Sequence, residues 1–174
     1  LPPVLRVKGS SLAAVMGATL ATKRTSAERL APGVDPDALV IESYANPFRT
    51  YPLKMDYERF KQLFDDGVEC YILNTGSFMD KKVPKEMTLG SLETIVEDKG
   101  EWATLGGMPG IDVLKIEGFE PDFTDAEYKK QFIERMNDRV KFVKSREEFM
   151  GGFDKLPDDA LEALTTVIEA VKKA

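Results

Sequence analysis

Lys81, Lys82 and Lys85 lie just ahead of Thr88, and this group follows the polar turn Asn74-Thr75-Gly76. Ammonium groups, a hydroxyl and the backbone amides of a helix start are what a phosphate or a ribose needs from a protein. The chemistry on offer is therefore recognition of a nucleotide; an ordinary solvated turn with a threonine cap is the alternative. The turn is preceded by the apolar run Val68 to Leu73. Such a run reads as a strand that ends in a polar, glycine-containing turn and feeds a helix. Open α/β proteins gather unpaired backbone groups into a crevice at that point.

Other chemistry is narrowed by composition. The chain has 174 residues, no histidine and one cysteine, Cys70. Without histidine there is no Ser-His-Asp or Cys-His nucleophile, and the commonest zinc ligand is missing, which leaves carboxylates, lysines, arginines and hydroxyls. Cys70 sits in an apolar run and reads as a small buried hydrophobe with no internal disulfide partner. A net charge of −6 and a pI near 4.9 argue against a nucleic-acid partner, because phosphate contacts need a concentrated basic face. No apolar stretch approaches the roughly 20 residues of a spanning helix, so no membrane partner is expected and the chain is placed in the cytoplasm.

No Walker-type run G-x-x-x-x-G-K-[ST] occurs, and the glycine loop at 106 to 110 contains Pro109, which has no amide to donate. That segment reads as a connecting loop. Arg49, between Phe48 and Tyr51, reads either as an anion clamp stacked on aromatics or as a cover for apolar surface. The acids Glu117, Glu120, Asp122, Asp125 and Glu127 lack the glycine-centred alternation of a calcium loop. They read as solvated charge and helix capping, so no metal site is expected. Trp102 reads as core or rim packing, with a base-stacking platform as the alternative.

These residues must be held by elements that the patterning predicts in order. A helix capped by Ser10 or Ser11 carries Leu12, Val15, Met16 and Leu20 on one face and ends near Ala31-Pro32-Gly33. A strand follows within Asp37 to Tyr44, broken by Asn46-Pro47. Asp56 caps a helix bearing Tyr57, Phe60, Leu63 and Phe64, with Gly67 as its left-handed stop. The strand Val68 to Leu73 comes next, then a helix from Thr88 with the stripe Leu89, Leu92, Ile95 and Val96, ending at Lys99-Gly100. Ile111 to Ile116 reads as a strand or extended arm. Thr124-Asp125-Ala126-Glu127 fits a capping box for the longest helix, whose buried stripe is Tyr128, Phe132, Met136 and Val140. Ser145 to Glu148 can cap a short turn before Gly151-Gly152, and a last helix runs from Pro157 to Lys173. The order supports an α/β fold, a small mixed sheet flanked by helices, with a helical C-terminal tail.

Several of these segments occur in the order found in one family. Leu1-Pro2-Pro3-Val4, Tyr44-Ala45-Asn46-Pro47-Phe48, Tyr71-Ile72-Leu73-Asn74-Thr75-Gly76, Lys81-Lys82-Val83 with Thr88, and Met108-Pro109-Gly110-Ile111-Asp112 form a colinear set. Over residues 1 to 143 this set resembles the C-terminal part of ATP-dependent phosphoenolpyruvate carboxykinase, and more closely uncharacterised bacterial relatives of that enzyme. The resemblance implies a carboxykinase-like C-terminal α/β domain over 1 to 143, with residues 144 to 174 as a helical tail packed on it. It also implies a nucleotide, ATP, whose adenine and ribose lie against Lys82, Val83 and Thr88, with Asn74, Gly76 and Phe78 counted among the residues that bind it.

Ser77 stands where the family has tryptophan, the glycine-rich insert becomes Phe78-Met79-Asp80, and Lys82 replaces an arginine. Lysine lacks the flat guanidinium surface, so base affinity is expected to fall unless Phe78 serves as the stacking platform. The family's phosphate loop, metal ligands and substrate arginines lie upstream of its Leu-Pro-Pro-Val turn. With Leu1 in place of a methionine, the chain is read as a fragment whose partner is the N-terminal part of its own parent, and it is not catalytic alone. A degenerate, non-enzymatic scaffold or protein-interaction domain is the second reading.

Overall fold

The computed structural model describes residues 1–23, 32–33, 35 and 38–173. After Pro2 and Pro3 the chain enters β1 (Val4–Val7) and turns at Gly9 into α1 (Ser10–Ala18). A short hairpin pairs β2 (Ala21–Lys23) with β3 (Leu39–Ile41). Then come α2 (Leu53–Asp65), β4 (Cys70–Leu73), the two-residue strands β5 (Ser77–Phe78) and β6 (Lys81–Lys82), and α3 (Lys85–Val96). β7 (Trp102–Thr104), β8 (Ile111–Leu114), α4 (Ala126–Ser145) and α5 (Asp158–Lys173) complete it.

The main sheet has the order β4-β1-β8-β7. Every pairing in it is antiparallel, which corrects the mixed sheet expected from the alternation of helices and strands. Parallel neighbours need crossover connections that return each strand in the same sense. Here β1 and β7, which the patterning did not single out, supply the missing antiparallel partners. One face carries Leu5, Val7, Ile111 and Val113 into the core against the helices, while Arg6, Tyr71, Asp112 and Thr104 share the opposite face, on which Val4, Asp112 and Leu114 are buried as well.

On that second face Arg6 donates to Asp112 at 2.9 Å, Lys8 lies 2.6 Å from the same carboxylate, and the Arg6 guanidinium stacks 4.5 Å from the Trp102 ring. Trp102 is thus a rim residue of β7, in contact with Tyr71. Burial opposes ionisation of Asp112, yet the bonds from Lys8 and Arg6 outweigh it and hold the carboxyl below its ordinary value.

α1 ends at Ala18, with Thr19 closing it through a bond to Val15 O, not near Ala31-Pro32-Gly33 as the punctuation suggests. Of that punctuation only Pro32 and Gly33 lie within the described residues, as do the flanks of the 37 to 44 strand except Asp37. Neither Ser10 nor Ser11 caps α1: both lie inside it, and Ser11 donates to Asp159 of α5 at 2.7 Å. α2 starts three residues before Asp56, behind Pro52, and Gly67 with φ +93° closes it, with Val68 N–H on Leu63 C=O as in a Schellman turn. α4 is capped by Asp125, which accepts from Glu127 N–H, because Asp122 takes both the hydroxyl and the amide of Thr124. The turn Phe149–Gly152 is a 3₁₀ turn without a side-chain cap.

The core is one cluster. Leu12, Ala13, Val15 and Met16 of α1 meet Tyr57 of α2, Met136 and Val143 of α4, and Leu164, Val167 and Val171 of α5. Leu105 and Met108 from the glycine loop complete it, fully buried. Gly110 leads from that loop into β8 with φ +81°, and a Cβ there would stand 2.9 Å from the Lys8 carbonyl. Lys8 N–H also donates to Gly110 C=O at 2.7 Å, so the backbone cannot back away. Gly110→Ala is therefore expected to cost about 2 kcal/mol, read as a lowered urea midpoint at unchanged slope. Among the described residues no helix is long and apolar enough to cross a membrane.

Candidate functional site

The β5–β6 hairpin and the start of α3 enclose one side of a concavity of about 610 Å³, open to solvent. Thr75, Lys82, Val83, Lys85, Thr88 and Leu89 line it, with Glu86 and Pro84 at the helix start. Lys82, Val83 and Thr88 therefore share a surface. Asn74, Gly76 and Phe78 do not line it.

Asn74 serves the turn itself. Its side-chain amide donates to Leu1 C=O at 2.6 Å and Ser77 C=O at 2.9 Å, while its Oδ1 accepts from Gly76 N–H at 3.0 Å. Gly76 C=O then accepts Val83 N–H at 2.9 Å, which lays the hairpin back against the end of β4. Phe78 is 6% exposed and packs against Tyr128 and Phe119 with ring centroids 5.6 and 6.1 Å away. It belongs to the aromatic cluster with Phe123 and Phe132 and presents no free ring to a ligand, which corrects its expected use as a stacking platform. The alternation of a β-hairpin explains this, since Phe78 and its neighbour Ser77 must point to opposite faces, and the buried face takes the ring.

The lysines divide by partner. Lys81 Nζ donates to Gly118 C=O at 2.9 Å and stands over the Phe119 ring, so its charge is directed away from the concavity. Lys85 lies 3.8 Å from Glu86, an exposed pair of small energetic weight. The Lys82 side chain is exposed and has no hydrogen-bond or ion-pair partner among the described residues. Among the described residues its charge and that of Lys85 are the cations at this surface.

Thr88 does not begin the helix. α3 starts at Lys85 behind Pro84, whose fixed φ suits a helix start, and Thr88 N–H already donates to Pro84 C=O at 3.3 Å. What Thr88 offers is a half-buried hydroxyl without a protein partner among the described residues, and no free amide. Thr75, Glu86 and Leu89 join the surface only through the fold. The one sequence signal for Leu89 was its helical stripe, which predicted burial.

Elsewhere the other candidates resolve into structure. Arg49 neither clamps an anion nor merely covers apolar surface: it makes a bidentate pair with Asp154 at 2.7 and 2.8 Å. Glu120 accepts from Gly118 N–H and Asp122 from Thr124, so the acidic group shapes its own turns. Among the described residues no group of three or more His, Cys, Asp or Glu is placed to hold a metal ion. Burial pushes the Cys70 thiol up to about 11, so it is protonated at neutral pH and a poor nucleophile. No protein-family model matches the chain, and no curated protein sequence matches it significantly.

Proposed function

We propose that the concavity between the β5–β6 hairpin and α3 accepts the purine and ribose end of a nucleotide such as ATP, within a carboxykinase-like C-terminal domain that is not catalytic alone. The observation that carries this is that Lys82, Val83 and Thr88, the positions the resemblance assigns to adenine and ribose, line one surface. In this reading Leu89 gives apolar contact to the base, the Lys82 stem adds to it while its ammonium faces the phosphate side, and Val83, 3% exposed, backs the surface from the core. The unpaired Thr88 hydroxyl meets the ribose. Charges for phosphoryl transfer come from the N-terminal part of the parent protein, the partner in this reading.

The test is a titration of the chain with magnesium ATP, and separately adenosine, followed by backbone amide NMR. Saturable shifts at Thr75, Lys82, Thr88 and Leu89 are expected, with affinity for ATP falling about tenfold, about 1.4 kcal/mol, in Thr88→Ala and in Lys82→Ala. Adenosine is expected to lose affinity in Thr88→Ala and to lose less than ATP does in Lys82→Ala, because it has no phosphate to meet the ammonium. Absence of shifts over residues 75 to 89 at millimolar nucleotide, or equal binding by the variants, overturns the reading.

A further inference from the structure

The helix that borders the concavity is turned in an unexpected direction. Leu89, Leu92 and Val96 repeat at i, i+3 and i+7, the spacing of a core-facing stripe, yet they are 65, 41 and 84% exposed. α3 contributes only Ser91 to the buried residues, and a second concavity of about 420 Å³ lies between its Met87, Ser91 and Thr94 side and Leu114 and Ile116. A ridge of leucine and valine standing clear of the body in this way marks an interaction surface.

Its charge selects the occupant. Residues 85 to 99 carry Glu86, Glu93, Glu97 and Asp98 against Lys85 and Lys99. The two lysines are already paired, with Glu86 and Glu97. Glu86, Glu93 and Glu97 run along the side adjoining the apolar stripe, and Glu93 has no ion-pair partner among the described residues. A second copy packed antiparallel on the same stripe would set this acidic flank against itself, because like flanks face each other in that arrangement. An anionic bilayer would meet the same charge.

We propose that the outward face of α3 docks a basic amphipathic helix of another polypeptide, its leucines interleaving with Leu92 and Val96 and its cations meeting Glu93 and its acidic neighbours. Helix-on-helix contact of this kind reads its partner through an apolar stripe for affinity and flanking charge for selectivity.

The experiment uses the full chain and two synthetic peptides of about 18 residues, about 27 Å as helices, which spans α3. One is patterned from leucine and lysine with a single apolar stripe, and the other replaces each lysine with glutamate. Fluorescence anisotropy is expected to show saturable binding of the leucine–lysine peptide, weakened at least about tenfold by Leu92→Asp combined with Val96→Asp, and also by Glu93→Lys. These positions are exposed, and unchanged far-UV circular dichroism establishes that the variants fold. Equal binding of the leucine–glutamate peptide, or equal binding by the wild type and the Leu92→Asp, Val96→Asp chain, overturns the proposal. So does self-association, or binding to anionic vesicles, that this double variant abolishes, since the stripe then has a different occupant.

Discussion

Asp154→Ala lowers the free energy of unfolding by about 4 kcal/mol. Asp154 is buried and serves two partners at once. One oxygen accepts from Arg49 and from Leu53 N–H, the first amide of α2, while the other accepts the second Arg49 nitrogen. The pair is largely withdrawn from water, with side-chain exposures of 16 and 7%. Removal of the carboxylate strands a guanidinium and an orphan helix amide together, which is the costly way to break a buried pair. Asp154→Asn, which keeps an acceptor for Leu53, is expected to lose about half as much. Urea unfolding of the three proteins measures this, and a loss below about 1 kcal/mol for the alanine variant would refute the assignment.

The same carboxylate predicts a pH dependence with a definite sign. The hydrogen bonds from Arg49, more than any other contact, hold Asp154 below its ordinary value. Its folded pKa is depressed relative to an unfolded value of about 3.9, so its contribution is fully present above that pH and disappears as pH falls through the folded pKa. Asp112 acts in the same sense. Unfolding free energy should therefore fall below about pH 4, and less steeply in Asp154→Ala, where one of the linked protons has been removed.

Leu164→Ala is the second large effect, expected at about 3 kcal/mol. Leu164 is fully buried in α5, where that helix packs on α1 and α4. The loss combines the missing methyl groups with a void that the surrounding helices cannot close. The form of the transition carries further information about the reading of residues 144 to 174 as a tail packed on the domain. Because α5 shares one core with β1, α1 and α4, a single cooperative transition shifted downward is expected in both calorimetry and circular dichroism. A separate early transition confined to helix content, with the remainder unmoved, would mean that the tail melts independently.

The elements that were legible beforehand are those whose signals are local. α5 begins at Asp158-Asp159 and ends at Lys172-Lys173, as the dipole favours, and its boundaries match the patterning to within a residue. Gly67 stops α2, Tyr128, Phe132 and Met136 of α4 face the core, and Ile111 to Leu114 form a strand. Each depends on neighbours within a turn or two. The hairpin at 77 to 82 and the turn at Asn74 also brought Lys82, Val83 and Thr88 together near where their spacing placed them, since fewer than ten positions separate them.

Tertiary structure alone decided the rest. The stripe Leu89, Leu92, Val96 announces an amphipathic helix, but periodicity cannot say which face meets the body, and here Met87 and Ser91 do. Phe78 was available as a platform until Phe119 and Tyr128 claimed its ring. Arg49 and Asp154 are 105 residues apart and Arg6 and Asp112 are 106 apart, and no local pattern marks either pair. β1 and β7 became strands because β4 and β8 offered them hydrogen-bonding edges. Spacing along the chain determines a residue's neighbours within a helix or hairpin; burial and pairing are determined by the segments that fold against it, and those lie far away in sequence.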